Sequence, residues 1–191
     1  MMDWQERYEV GDMPWDEGDA HPGLVDFIAE NGAFQGRILV PGCGRGHDVR
    51  ALSTGSNRVV GLDIAPRAVE KALEFSRAGR EEYLVGDLFN LEEGMRGVFD
   101  WVVEHTCFCA IEPAMRTAYV EAVTGALKPG GRLFGIFYLE PAVERKPPYG
   151  VTTGELDELF LRGFEMEREW VPGRTFEGRE GRELIRVLRR V

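Results

Sequence analysis

The sequence predicts a doubly wound α/β fold, with a single, mostly parallel seven-stranded sheet whose last strand is antiparallel. Short apolar runs alternate with amphipathic segments along most of the chain, as expected for βαβ units. The apolar run at 38–40 passes through Pro41 into a glycine-rich turn and then into a polar, helix-compatible segment that starts at His47. The alternation changes only near the end, where two more strands are expected and the final one, at 184–188, returns antiparallel.

The bounds of each element come from apolar spacing and from the glycines and prolines that flank it. Pro22 begins a helix with an apolar stripe that includes Leu24 and Ile28, and Gly32 ends it. The other predicted elements are a strand at 38–40, a helix from 47 to 55, a strand at 59–63, a helix at 67–78, strands at 83–88 and 99–104, a helix beginning at 112, a strand at 132–138 after a turn at 128–131, a helix at 154–162, and strands at 164–171 and 184–188. We expect one domain over 1–191, with an N-terminal lid and helix region at 1–33 and the core at 34–191.

Composition excludes several classes of partner. With 191 residues and 43% hydrophobic content, one full-sized core is expected. The net charge of −10 argues against a nucleic-acid partner, which would need a basic field. No apolar run approaches the roughly 18 residues that span a bilayer, and the N-terminus does not resemble a signal peptide. Three cysteines without an export signal favour reduced thiols and a cytoplasmic location.

The glycine-rich turn is the strongest functional feature. Gly42, Gly44 and Gly46 follow a buried strand, at the place where doubly wound folds hold adenosine-containing ligands. Glycine suits this place because a ligand against the backbone leaves no room for a Cβ atom. The spacing G-x-G-x-G is one residue shorter than the dinucleotide fingerprint, and a tight turn alone would also explain it.

Acidic residues at the ends of the next two strands sharpen this hypothesis. Asp63 ends strand two, where a carboxylate can bind ribose hydroxyls. Asp87 ends strand three and can accept from an adenine amino group, while the backbone N–H of Leu88 donates to the ring. The sequence therefore predicts an adenosine site at the switch point between strands one and four.

Beyond these features, the chain resembles the S-adenosylmethionine-dependent, Rossmann-like methyltransferases, and within them the thiopurine S-methyltransferase family with its thiol and halide methyltransferase branch. The resemblance covers most of the chain from Trp4 to Leu161. It is carried by Trp4, Tyr8 and PWD at 14–16, then by PGCGRGHD, VVGLDIAPRAVEKA, GDLF, EHTCFCAIEP, LKPGG and FYLEPAVERKPPYGV. The chain departs from the family pattern at His105 and Cys107, where larger aromatic residues are expected, and at Tyr8, which replaces a common tryptophan.

The resemblance implies S-adenosylmethionine as cofactor, S-adenosylhomocysteine as product and methyl transfer to a small soft nucleophile: a thiol, sulfide, related chalcogen or halide. The implied cofactor-binding residues are Trp4, Tyr8, Trp15, Gly42, Cys43, Gly44, Gly46, Asp63, Ile64, Asp87, Leu88 and Glu104. Trp4, Tyr8 and Trp15 would cover the sulfonium end, and Glu104 would lie beside the cofactor's amino group. Tyr138 falls on a tyrosine linked with the acceptor pocket, and the segment 138–151 is expected to arch over the acceptor. A small-molecule acceptor, a monomer and no membrane or nucleic-acid partner are expected.

His105 offers a base if it projects into the cleft, where it would deprotonate a thiol or accept its hydrogen bond. A purely structural role remains open for His105, as does core packing for Trp4 and Trp15 and loop capping for Glu104. No metal is expected, since the spacings of Cys43, Cys107, Cys109, His47 and His105 match no zinc pattern.

Two other functions also remain open. One is a cofactor-binding module without turnover, in which His105 and Cys107 have spoiled the acceptor pocket. The other is a nicotinamide-dependent oxidoreductase, which the short glycine spacing and the lack of a second catalytic domain disfavour.

Overall fold

A computed structural model describes residues 2–139 and 147–191. The described residues form one sheet with helices on both faces. The strands are β1 (Arg37–Pro41), β2 (Arg58–Asp63), β3 (Glu81–Val85), β4 (Phe99–His105), β5 (Leu127–Tyr138), β6 (Phe164–Trp170) and β7 (Glu183–Arg190). The helices are α1 (Trp4–Val10), α2 (Pro22–Asn31), α3 (His47–Leu52), α4 (Pro66–Leu73), α5 (Arg116–Ala126) and α6 (Thr153–Phe160), with 3₁₀ turns at Leu88–Asn90, Glu93–Met95 and Pro113–Met115.

The strand order across the sheet is β3-β2-β1-β4-β5-β7-β6. β1 to β5 are parallel, and β7 runs antiparallel to both β5 and β6. The predicted fold class is therefore confirmed, including the antiparallel last strand. The order reverses between β1 and β4, so the loops that leave their carboxyl ends diverge to opposite sides and open a crevice there.

Three predicted helices end earlier in the structure: the one from 47 to 55 ends at Leu52, the one at 154–162 ends at Phe160, and the one at 67–78 differs most. The helix expected at 67–78 ends at Leu73, because the chain beyond it turns back toward α3. The ring of Phe75 lies under the guanidinium of Arg50, at 4.1 Å, and the carboxylate of Glu81 accepts hydrogen bonds from the backbone N–H groups of 78 and 79. These contacts replace the helical hydrogen bonds that the apolar spacing predicted.

The turn predicted at 128–131 is part of β5. Leu127 pairs with Phe99 and Arg132 pairs with Trp101, so five steps along β5 face two steps along β4. The intervening residues form a bulge in which Gly130 takes a φ of 74°. The bulge leaves the carboxyl end of β5 in regular register with β4, where Ile136 pairs with His105.

Side chains alternate between the two faces of the sheet and form a core on each. One face of β4 carries Val103 and packs with Phe134 and Ile136 against α2 and α3. The other face carries Val102 and packs with the helices α5 and α6. The alternation predicts that His105 projects on the same face as Val103, and Glu104 on the opposite face. Among the described residues, no helix is long and apolar enough to cross a membrane.

Candidate active site at the carboxyl ends of β1 and β4

The glycine turn after β1 presents backbone to the crevice. Gly42, Gly44 and Gly46 all have positive φ, at 59°, 53° and 75°. Gly42 is exposed and Gly44 is partly exposed, whereas Gly46 is buried. A Cβ atom on Gly46 would lie 2.5 Å from the ring of Tyr83. Gly42 and Gly44 are thus placed to lie against a ligand, while Gly46 is required by its packing on β3.

Asp63 at the end of β2 holds this turn. One of its carboxylate oxygens accepts from the backbone N–H of Gly44 at 2.8 Å, and the other accepts from that of Ala65 at 2.9 Å. Burial raises the pKa of Asp63. Each oxygen keeps a second lone pair for a further donor, so the carboxylate both shapes the turn and can receive a hydroxyl.

An apolar platform lies at the ends of β2 and β3. Ile64 and Val85 are 55% and 54% exposed, and Val85 pairs with Asp63 across the two strands. Asp87 starts the following 3₁₀ turn by accepting from the backbone N–H of Phe89, and Leu88 is buried beneath it. The sequence reasoning missed Val85, whose position two residues before Asp87 was the available clue. Two exposed apolar side chains between two acids fit a flat heteroaromatic ring with polar edges.

The N-terminal segment covers the glycine turn. Tyr8 is buried, and its hydroxyl accepts a hydrogen bond from the indole N–H of Trp15 at 3.3 Å. Trp4 packs edge-on against Trp15, with 5.3 Å between ring centroids, and joins the cluster formed with α4. Tyr8 and Trp15 line the cavity beside the turn, whereas Trp4 supports Trp15 from behind.

The cavity lies between this segment, the glycine turn and the end of β4. Its lining consists of Tyr8, Trp15, Asp16, Glu17, Asp19, Val40, Gly42, Cys43, Gly44, Arg45, His47, Asp48, His105, Thr106 and Phe176. Of the predicted site residues, it brings together Tyr8, Trp15, Gly42, Cys43, Gly44 and His105. Thr106, directly after β4, has a φ of 66°, the only positive value at a non-glycine residue in the part of the chain described. Such strain is concentrated at functional sites.

His105 projects into this cavity from the end of β4. Its Nδ1 lies 2.7 Å from a carboxylate oxygen of Asp48 in the first turn of α3. Its Nε2 is buried and has no hydrogen-bond partner. A buried imidazole nitrogen without a partner, beside a cavity, is a binding or proton-transfer position. Sequence reasoning found His105 and missed Asp48, which is 57 residues away in the chain.

A second histidine–carboxylate pair supports the first. His21 precedes α2 and is fully buried; its Nε2 lies 2.7 Å from Glu183 at the start of β7. The rings of His21 and His105 meet edge-on at 4.7 Å, and Phe176 contacts both. Burial lowers the pKa of His21. Burial would raise the pKa of Glu183, but the hydrogen bond with His21 outweighs this effect and lowers it. At neutral pH this pair is a neutral imidazole with an ionised carboxylate.

His21, His105 and Glu183 also form a group whose ligand atoms lie within 4.8 Å of one another, close enough to consider a metal ion. The hydrogen bonds argue against this use. Nδ1 of His21 accepts from the backbone N–H of Gly23 at 3.0 Å, so its proton is on Nε2. In that tautomer Nε2 has no lone pair to offer a metal.

Glu104 lies at the end of β4, as expected, but does not line the cavity. Its side chain is 0% exposed and lies on the opposite face of the sheet. One oxygen accepts from the hydroxyl of Tyr119 and the other from the backbone N–H of Phe108 at 2.7 Å. Each oxygen therefore has a partner within the protein, and the role of Glu104 beside the cofactor's amino group stays a prediction.

Tyr138 lies at the end of β5, opposite Glu183 in the register. Its hydroxyl accepts from Arg182 at 3.5 Å, and the guanidinium of Arg179 lies 6.0 Å from its ring. It is on the His105 face of the sheet but does not line the cavity. Residues 140–146 of the segment expected over the acceptor lie outside the described residues.

The arrangement matches the parts of one cofactor. The bare backbone of Gly42 and Gly44, the carboxylate of Asp63 and the apolar pair after β2 and β3 fit an amino-acid chain, a ribose and an adenine in succession. Fold and site together define an S-adenosylmethionine-dependent methyltransferase.

The chain belongs to the thiopurine S-methyltransferase family, whose pattern it matches over residues 1–179. It is 37% identical over 169 residues to the probable thiol methyltransferase 2 of Arabidopsis thaliana, covering 85% of this chain and 73% of that protein. It is 36% identical over 162 residues to thiocyanate methyltransferase 1 of Brassica oleracea, covering 83% and 71%. The predicted cofactor and methyltransferase activity are confirmed.

Solved structures share the fold. One is the 1,6-didemethyltoxoflavin-N1-methyltransferase of Burkholderia thailandensis, bound to S-adenosylhomocysteine, with a TM-score of 0.73 and 21% identity over 97% of this chain and 84% of that one. Another is a TehB-like S-adenosylmethionine-dependent methyltransferase of Corynebacterium glutamicum, with a TM-score of 0.69 and 23% identity over 98% of both chains.

Proposed function

We propose that this protein methylates a small soft nucleophile, such as a thiol, hydrosulfide, thiocyanate or halide. The observation that carries the proposal is the cavity itself: its lining joins the glycine turn to aromatic residues and to His105, whose buried Nε2 has no hydrogen-bond partner. The thiol and thiocyanate methyltransferases among the relatives support the same acceptor class. The cavity is small and is lined by Trp15 and Phe176, which favours a small molecule over a polymer.

The cofactor residues have separate tasks in this proposal. S-adenosylmethionine supplies an electrophilic methyl group on a positive sulfonium. Gly42, Cys43 and Gly44 would give it backbone contact at one end, and Asp63 would accept from its ribose. Ile64, Asp87 and Leu88 would hold the adenine. Gly46 and Trp4 act indirectly, through packing on Tyr83 and Trp15.

At the reacting end, Tyr8 and Trp15 turn aromatic surface toward the sulfonium and exclude water. His105 faces the acceptor from the opposite side of the cavity. A thiol gives its proton to Nε2 of His105 as its sulfur attacks the methyl carbon. Thiocyanate and iodide carry no such proton and require only alignment and desolvation. Tyr138 lies beside Glu183, outside the cavity. It shapes the acceptor end of the site without contacting the acceptor.

We propose that the protein acts as a monomer, because residues of a single chain are sufficient to form the lining of the cavity. Size-exclusion chromatography with light scattering on the active protein checks this. A dimer that loses activity on dilution would contradict it.

The direct test uses S-adenosylmethionine labelled in its methyl group. Purified protein is incubated with an aliphatic thiol, hydrosulfide, thiocyanate and iodide, and methylated product is measured by gas chromatography. An aliphatic alcohol and an amine of matching size are the hard-nucleophile controls. We expect product from the soft acceptors only. Binding of S-adenosylhomocysteine without any product would instead identify a silent cofactor-binding module.

A further inference from the structure

The acceptor end of the site contains Asp48, the last residue of the PGCGRGHD motif, to which the family resemblance assigned no role. We infer that Asp48 is a positioning residue that keeps His105 in the tautomer with a free Nε2 lone pair. It thereby determines turnover of acceptors that must lose a proton, but not of proton-free anions. This inference rests on the proposed function and adds a residue and a division of substrates to it.

The hydrogen bonds of Asp48 support this role. One carboxylate oxygen accepts from the backbone N–H of His21 at 2.8 Å, and the other lies 2.7 Å from Nδ1 of His105. Although burial opposes it, the interaction with His105 and the hydrogen bond from the backbone N–H of His21 lower the pKa of Asp48, so this carboxyl is ionised at neutral pH. An ionised carboxylate can only accept, so Nδ1 of His105 must carry the proton. The lone pair is then on Nε2, which is the atom without a partner.

The side chains around His105 restrict the orientation of its ring. Phe176 stacks against it with 6.2 Å between centroids, and His21 closes the adjacent edge. His21 is itself held by Glu183, whose second oxygen lies 3.3 Å from Arg179. Phe176, His21 and Asp48 thus restrain the ring at its face, its edge and its Nδ1, and the buried Nε2 is left without a partner in the wall of the cavity.

The step balances without any further reagent. The S–H bond of the acceptor breaks and its proton moves to Nε2 of His105. The sulfur lone pair forms the new bond to the methyl carbon, and the electrons of the old carbon–sulfur bond stay with the departing S-adenosylhomocysteine. Asp48 stabilises the imidazolium that results, which later releases its proton to water.

The kinetic test compares Asp48→Asn with the parent at pH 7, using an aliphatic thiol and thiocyanate in parallel. Asparagine keeps an oxygen for the N–H of His21 but offers an N–H₂ group to Nδ1, which moves the histidine proton to Nε2 and removes the lone pair. We expect kcat/KM for the thiol to fall about 10²-fold, and that for thiocyanate to stay within about threefold. The matched control is Asp26→Asn, an exposed carboxylate paired with Arg174, which should change neither.

Each result has one meaning. Retained thiocyanate turnover shows that Asp48→Asn is folded and binds cofactor. Equal losses with both acceptors would overturn the inference and leave the proposed function intact. If the parent protein methylates neither acceptor, the proposed function itself fails.

A spectroscopic measurement tests the tautomer without turnover. The chain has three histidines, so ¹⁵N-labelled imidazoles can be assigned by single substitutions. We expect the protonated nitrogen of His105 to be Nδ1 in the parent and Nε2 in Asp48→Asn, both at pH 7. A parent spectrum with the proton on Nε2, or a zinc-induced shift of that nitrogen at stoichiometric metal, would overturn the inference.

Discussion

The hydroxyl of Tyr8 lies 2.8 Å from the point where a Cβ atom on Gly44 would stand. The N-terminal segment therefore rests directly on the glycine turn, and the indole N–H of Trp15 binds the same hydroxyl. Burial, reinforced by the charge of Asp63, raises the pKa of Tyr8 well above its ordinary value, so the hydroxyl stays neutral over the physiological range. The packing of Tyr8 over the glycine turn thus requires glycine at position 44.

Gly44→Ala tests this contact. We expect a stability loss of about 1–2 kcal/mol, because alanine is strained at a φ of 53°, together with weaker binding of S-adenosylhomocysteine as Tyr8 is displaced. Urea unfolding and calorimetric titration measure the two effects. Gly55→Ala is the control, since Gly55 has an ordinary φ and no atom near its Cβ position. Unchanged affinity in Gly44→Ala would show that Tyr8 does not cover the cofactor.

Trp15 and Trp4 should differ in how they affect the charged cofactor. Trp15→Leu removes an aromatic face from the cavity, so the affinity for S-adenosylmethionine should fall more than that for S-adenosylhomocysteine, whose sulfur is uncharged. The ratio of the two losses should be about 2- to 30-fold. Trp4→Leu should lower both affinities equally, because Trp4 only supports Trp15. Calorimetry with both ligands gives the ratio. An identical ratio in the two variants would contradict a cation–π contact from Trp15.

Glu104 makes a specific contribution to pH-dependent stability. Burial raises its pKa from 4.5 to about 7. This difference changes the free energy of unfolding by about 3 kcal/mol between low and high pH. Between these values the unfolded carboxyl loses its proton while the folded one keeps it. The free energy of unfolding should therefore decrease as pH rises from 4.5 to 7, and then level off.

Glu104→Gln removes this decrease while retaining groups that can bond Tyr119 and Phe108. The variant should be more stable than the parent at pH 8 and similar to it at pH 4.5. Urea unfolding across this range measures the difference. A parallel pH dependence of parent and variant would mean that Glu104 is ionised in the folded protein without penalty.

Asp16 links the N-terminal segment to the glycine turn through an ion pair. Its carboxylate accepts from Arg45 at 2.8 Å and lies 3.2 Å from Nε2 of His47. Although burial opposes it, the hydrogen bond from Arg45 lowers the pKa of Asp16. The contribution of this pair is thus present above the ordinary carboxyl pKa of 3.8 and is lost as pH falls below it.

Asp16→Asn should loosen this fastening at pH 7. We expect faster proteolytic cleavage before residue 20 and roughly fivefold weaker cofactor binding, as a partly buried ion pair loses one partner. Asp12→Asn is a suitable comparison, because Asp12 pairs with Arg7 on the exposed side of the same segment. Equal cleavage rates in the two variants would argue that Asp16 does not hold the segment.

Much of the site could be predicted from the sequence because it depends on local order along the chain. Glycines after an apolar strand and acids at strand ends are adjacent in sequence to the elements that place them. The parallel register then brings Gly42, Asp63 and Asp87 to one edge of the sheet. The sheet topology follows for the same reason.

What could not be predicted depends on contacts between distant residues. Glu104 ends on the far face because alternation along β4 points it at Tyr119, a partner 15 residues away on α5. Asp48 reads as an ordinary first-turn carboxylate until β4 brings His105 to it. His21 and Glu183 are separated by 162 residues, and neither lies in a recognisable motif.

The most direct test of the proposed methyl-transfer site is a crystal structure with S-adenosylhomocysteine and thiocyanate bound together. We expect the anion in the cavity between His105, Phe176 and Trp15, with its sulfur in line with the cofactor sulfur and room for a methyl group between them. An anion bound elsewhere, or a cofactor product that does not lie along Gly42 and Gly44, would contradict it.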